Sequence, residues 1–210
     1  MPNRIPSATR PLLAFAVLPF LISPARAAPK PSASAAPSAR SAECPGLPPP
    51  TALASKIAAA DDRPAFLALF GMSLGSRPSP AWTCFIDKVE RGDESLGPAL
   101  GAMSKKPYWL AAPEVTEALS QALLTRPAFV LKIIAGSANP DRSTEVICQV
   151  DTPYGISLKE VDAAHKKVYK ALGGVAEEDL AGRRQACFES LAHHFREWKD
   201  LRQLAGDSTQ

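Results

Sequence analysis

The stretch Ser157-Leu158-Lys159-Glu160-Val161-Asp162-Ala163-Ala164-His165-Lys166-Lys167-Val168-Tyr169-Lys170-Ala171-Leu172-Gly173-Gly174 decides the fold class of this chain. Ser157 and Glu160 stand three apart, the spacing of a capping box, in which each side chain accepts a hydrogen bond from the other residue's backbone N–H. Leu158, Val161, His165, Val168 and Leu172 then recur at steps of three and four and fall on one helical face. Gly173-Gly174 stops the run. Start, stripe and stop together define an amphipathic helix.

The same signals continue on either side. Downstream, Glu177, Glu178 and Asp179 suit the positive end of a helix dipole. Leu180, Cys187, Leu191, His194, Phe195 and Trp198 give that last helix its apolar face. Upstream, Glu145-Val146-Ile147-Cys148-Gln149-Val150 is ambiguous, because its β-branched residues also suit a strand. Pro127 starts a helix, through Ile134, that is apolar nearly all round and therefore central. Val115, Leu119, Ala122 and Leu123 make another stripe, and Leu96, Leu100 and Met103 a short one. Ser79-Pro80 opens a helix carrying Trp82, Phe85, Ile86 and Val89, ended by Gly92. Asp62 caps a helix with Pro64 in its first turn, and Leu53, Ile57 and Ala60 mark the first helix. The expected fold is all-α, a compact array of about eight or nine helices between Thr51 and Ala205.

A faint duplication runs through this array. Arg63-Pro64-Ala65-Phe66-Leu67 resembles Arg126-Pro127-Ala128-Phe129-Val130 at a shift of 63. A shift of 64 superposes Cys84 and Asp87 on Cys148 and Asp151. A short helical-repeat arrangement of helix pairs and a chance match in an Ala- and Pro-rich chain both remain open.

The N-terminus reads differently. Arg4 and Arg10 precede the apolar run Pro11 to Ile22, which is too short to span a bilayer comfortably, and Ala25-Arg26-Ala27 offers a small-x-small cleavage pattern. Residues 1–27 are therefore expected to be a secretory signal peptide, and 28–50, dominated by Pro, Ala and Ser, a tether. Residues 51–210 are then the disulfide-stabilised helical domain. Of the 24 basic residues, three (Arg4, Arg10 and Arg26) lie in the signal, which leaves 21 against 21 acidic ones. A neutral, interspersed charge has no footprint for nucleic acid and no polybasic membrane patch. No membrane anchor is expected in the mature chain.

Cys44, Cys84, Cys148 and Cys187 all follow the signal, without any C-x-x-C. Four cysteines allow three pairings. The near-equal separations favour Cys44–Cys84 and Cys148–Cys187, as an exported chain would form them.

Chemistry-bearing patterns are few. Gly71-Met72-Ser73-Leu74-Gly75 matches the G-x-S-x-G nucleophile elbow, and Asp151 and His194 follow in the chain order of a hydrolase triad. Against it, the residues before Ser73 lack β-branching, and Pro78 and Pro80 prevent a helix directly after it. His165 and His194 both sit on apolar faces. A hairpin turning at Gly173-Gly174 puts them about 13 Å apart, too far to share a metal ion. Glu189, His193 and Glu197 recur at i, i+4 and i+8, a spacing shared by zinc sites and ordinary solvated faces. Tyr108, Trp109 and Tyr154 lie in connections, where aromatic residues serve as partner contacts or fold back onto the core. No metal and no cofactor is expected. The expectation for function is an exported, non-enzymatic helical protein-binding module (inhibitor, immunity-type or assembly adaptor) whose partner is another exported or envelope protein. The alternative is a serine hydrolase using Ser73.

Overall fold

A computed structural model of the chain describes residues 44–149 and 157–204. The proposed signal peptide, most of the tether, Asp151 and Tyr154 lie outside them. The described residues form nine α-helices and three 3-10 turns, with no strand. The helices are α1 (Pro50–Ala59), α2 (Arg63–Ala68), α3 (Pro80–Glu90), α4 (Gly97–Met103), α5 (Pro113–Ala122), α6 (Pro127–Ala135), α7 (Pro140–Ile147), α8 (Leu158–Gly173) and α9 (Ala181–Leu204).

Proline punctuates the first seven. Each of α1 to α7 carries Pro at its first or second position, where the missing N–H costs no intrahelical bond. Asp62, Ser79 and Asn139 cap α2, α3 and α7 by accepting from the N–H of Ala65, Trp82 and Arg142. The Asn139-Pro140 start resolves the ambiguous segment. It sets the chain helical through Ile147, and the strand alternative falls as far as Gln149. At α8, Ser157 and Glu160 make the full capping box.

α6 is the hub. Val130, Leu131 and Ile134 are fully buried, and the helix packs on α4, α5, α7, α8 and α9. Around it α1 packs on α4, α3 on α5, and both α7 and α8 on α9. At the end of α3, Gly92 has φ +67°, and a Cβ there would run into the side chain of Arg126 at the start of α6. Glycine is needed at that position for both reasons.

Both disulfides pair as the spacing suggests, Cys44–Cys84 and Cys148–Cys187. The first extends the folded body back to Cys44, ahead of Thr51. Leu47 packs against the core, and its N–H donates to the Cys44 carbonyl.

The shift of 63 aligns the starts of α1 and α5, at Pro50 and Pro113, and both RPAF segments open helices. Packing does not follow the shift. α1 packs chiefly on α4, whereas α5 packs on α3 and α7.

Candidate functional site

Two places gather the residues singled out in the sequence. The first is a cleft of about 120 Å³ between the turn that follows α2 and the loop before α5. Its walls include Phe66, Trp82 and Tyr108, and its rim carries Arg63, Leu74 and Glu114.

The turn is built by glycine and serine. Gly71 and Gly75 hold φ +68° and +78°, which side-chain-bearing residues rarely adopt. Ser76 Oγ accepts from the Ser73 N–H at 3.0 Å and donates to the Ser73 carbonyl at 2.8 Å. The Ser79 hydroxyl donates to the Phe70 carbonyl while accepting from the Trp82 N–H, so the turn is fastened to the start of α3. Held in this way, the turn presents Leu74 61% exposed to solvent.

Beneath it lies a cluster of rings. Phe70 and Trp82 meet edge to face at 4.9 Å, and Phe66 lies 5.6 Å from Tyr108. The Tyr108 hydroxyl donates to the Ala60 carbonyl at 3.2 Å. Burial, and then the charges of Asp62 and Asp61, push its pKa above the usual tyrosine value.

Ser73 and Tyr108 thus share one cleft, which neither residue's local sequence signals. Trp109 does not join them as a contact. It is 2% exposed and belongs to the core, which corrects its candidacy as a partner contact and leaves the fold-back alternative. Around Ser73 the strand-then-helix context of a nucleophile elbow is missing. A six-residue helix precedes it, no helix follows until Pro80, and no histidine lines the cleft.

The second place is the α8–α9 contact. The rings of His165 and His194 are parallel to within 4°, with centroids 5.7 Å apart. The expected separation of about 13 Å is therefore wrong. The helix stops at Gly173 as expected, but α9 does not follow at once. Residues 174–180, pinned in the core by Val175 and Leu180, first run past the end of α8. α9 therefore begins only at Ala181, and in the resulting register His194 faces His165. Tyr169 and Phe188 stack in the same register at 5.1 Å, and the Tyr169 hydroxyl donates to the Phe188 carbonyl. His165 is 4% exposed, and its buried Nε2 has no hydrogen-bond partner among the described residues. Burial first, and the neighbouring His194 second, push its pKa down to about 4, with Asp162 opposing.

On the outer face of α9, His193 Nδ1 lies 3.3 Å from Glu197, while Glu189 accepts from Gln185. Among the described residues no group of three or more His, Cys, Asp or Glu side chains could hold a metal ion. None of the described helices is long and apolar enough to cross a membrane. No protein-family model, curated protein or solved structure matches this chain.

Proposed function

We propose that the protein is an exported, non-enzymatic binding module, and that the Leu74 turn and its cleft are the surface it offers to another exported or envelope protein. The observation that carries this reading is Leu74 itself. An aliphatic side chain 61% exposed gains nothing for the fold, yet it sits on a turn fixed by two glycines and a doubly bonded serine. A rigidly held apolar side chain beside a small cleft lined by Trp82, Tyr108, Arg63 and Glu114 offers a partner apolar and aromatic surface with charged groups next to it. Two disulfides, and the signal-like segment ending at Ala27, support an oxidising compartment outside the cytoplasm.

The test uses the full chain in its own cell envelope, with a photo-cross-linking residue at position 74 or, as a control, at exposed Lys159 on α8. A discrete adduct is expected from position 74 alone, on a mature chain that begins at Ala28. Equal adduct patterns from the two positions would refute the assignment of this surface. Covalent labelling of Ser73 by a fluorophosphonate would establish the hydrolase alternative instead, since only an activated serine reacts.

A further inference from the structure

We propose that Cys44–Cys84 is an exchangeable disulfide, opened by a dithiol oxidoreductase, and that its opening frees the strap Cys44–Pro49 from the body. The two disulfides stand in different surroundings. Cys148 and Cys187 are both fully buried, whereas Cys84 is partly exposed on α3. Cys44 lines a cleft of about 180 Å³ together with Leu47, Leu53, Lys88 and Leu96. This cleft shares no residue with the one beside Leu74.

The strap has few other attachments. The bond from the Leu47 N–H to the Cys44 carbonyl is internal to it and closes a turn at Gly46, whose φ is +79°. The Pro49 carbonyl accepts from the Leu53 N–H, which is only the first turn of α1. Pro48 and Pro49 have no N–H to donate. Among the described residues, what then remains to hold the strap without the disulfide is the apolar contact of Leu47 with the core and of half-buried Pro48. Around Cys187, by contrast, Arg183 also ties α9 to Asp141 and Thr144, so the second disulfide is one attachment among several.

Lys88 favours exchange at the first bond. It lies one turn after Cys84 on α3 and lines the same cleft as Cys44, with its side chain 13% exposed and its Nζ 3.5 Å from Asp93. A thiolate released into that cleft meets an ammonium group whose charge Asp93 only shares, and a stabilised thiolate leaves faster. The incoming thiolate attacks Cys84 Sγ on the partly exposed side. A new S–S bond forms there as the Cys44–Cys84 bond breaks, and Cys44 leaves as a thiolate that takes a proton from water. The second thiolate of the oxidoreductase then attacks its own sulfur in the mixed disulfide and releases Cys84. In sum, the protein disulfide becomes two thiols and the partner dithiol becomes a disulfide.

Opening changes one end of the molecule only. The strap shares its cleft with Leu53 and Leu96, which are 1% and 4% exposed while it is in place. Its release bares that apolar wall, while α1 keeps its packing on α4 and the hub α6 is untouched.

The experiment uses the intact, oxidised full chain and two thiol probes at pH 7. Glutathione, a monothiol, arrests the first step, and peptide mapping should place its adduct on Cys84. Dithiothreitol completes the reaction, and Cys44 and Cys84 should become alkylated about ten times faster than Cys148 and Cys187. In the singly reduced chain, hydrogen exchange across 44–57 should accelerate about tenfold while that of α6 holds. Lys88→Gln should slow opening of the first bond severalfold and leave the second unchanged. A glutathione adduct on Cys44 would overturn the proposal, as would equal opening of the two bonds or exchange across 44–57 that ignores reduction. Loosening of α6 in step with the strap would also overturn it, since that is global unfolding. The wild-type measurements decide the matter even if the variant does not fold.

Discussion

The two ends of this molecule are held together by different chemistry. In the N-terminal part, Phe66, Phe70, Trp82 and Phe85 are all at most 3% exposed, with ring centroids 4.9 to 6.1 Å apart. The helices that carry them are short, α2 having only six residues. Such a helix is not stable alone, so the aromatic cluster holds it in place, while the Cys44–Cys84 bond ties α3 to the segment ahead of α1. The α8–α9 hairpin reverses the balance. Its helices are 16 and 24 residues long and strongly marked in the sequence, and their aromatic contacts include two facing imidazoles and a Tyr169–Phe188 stack beside the buried Val168, Leu172 and Leu191. Local encoding and tertiary anchoring are thus distributed oppositely along one chain.

The largest effect that would sharpen this contrast is in the aromatic cluster. Phe85 is fully buried between Phe70 at 5.1 Å and Trp82 at 5.8 Å. Phe85→Ala should cost about 3–5 kcal/mol in urea unfolding, as the two flanking rings cannot collapse into the cavity. A loss under about 1 kcal/mol would mean that the cluster does not dominate this half.

Next come the disulfides, whose closed loops are nearly equal, with sequence separations of 40 and 39. Chain entropy alone makes replacing either pair by alanine cost roughly 4 kcal/mol. Their environments differ, however. Cys148 and Cys187 are fully buried, while Cys84 is only partly so. Graded reduction should therefore open Cys44–Cys84 first, as read by mass mapping of alkylated thiols. Simultaneous reduction would show that burial does not set their accessibility.

Much of the fold was legible because its signals are local. The caps Asp62, Ser79 and Ser157 and the stop at Gly92 each act within a few residues, and the structure uses all four. The disulfide pairing was legible because four cysteines leave few choices. What escaped the sequence was register and rotation. Whether the chain turns at Gly173 or runs on to Leu180 depends on Val175 and Leu180 finding the core, which no local spacing reports. That one displacement separates two distant histidines from a facing pair. For Trp109 the sequence left partner contact and fold-back both open, and only the tertiary packing that buries the ring decides between them. In the candidate cleft, Ser73 and Tyr108 were each visible as residues. Their meeting depends on α2 and the loop before α5 sharing the ring cluster, which is long-range information.

The smallest of these effects tests local encoding at the hairpin itself. Ser157 Oγ accepts from the Glu160 N–H at 3.3 Å, and Glu160 Oε2 accepts from the Ser157 N–H at 2.8 Å. Ser157→Ala should cost about 1 kcal/mol, far less than the aromatic change. Those bonds from the Ser157 backbone, and then from its hydroxyl, hold the Glu160 carboxyl below the usual glutamate value. A carboxylate lowered on folding stabilises above its ordinary pKa of 4.5 and loses that contribution as pH falls through the folded value. Between pH 7 and 5, Ser157→Ala should therefore shift the urea midpoint by a constant amount. If the variant's penalty instead grew across that range, the cap would be coupled to a group titrating elsewhere in the hairpin, and α8 would not be the locally encoded helix that its capping box describes.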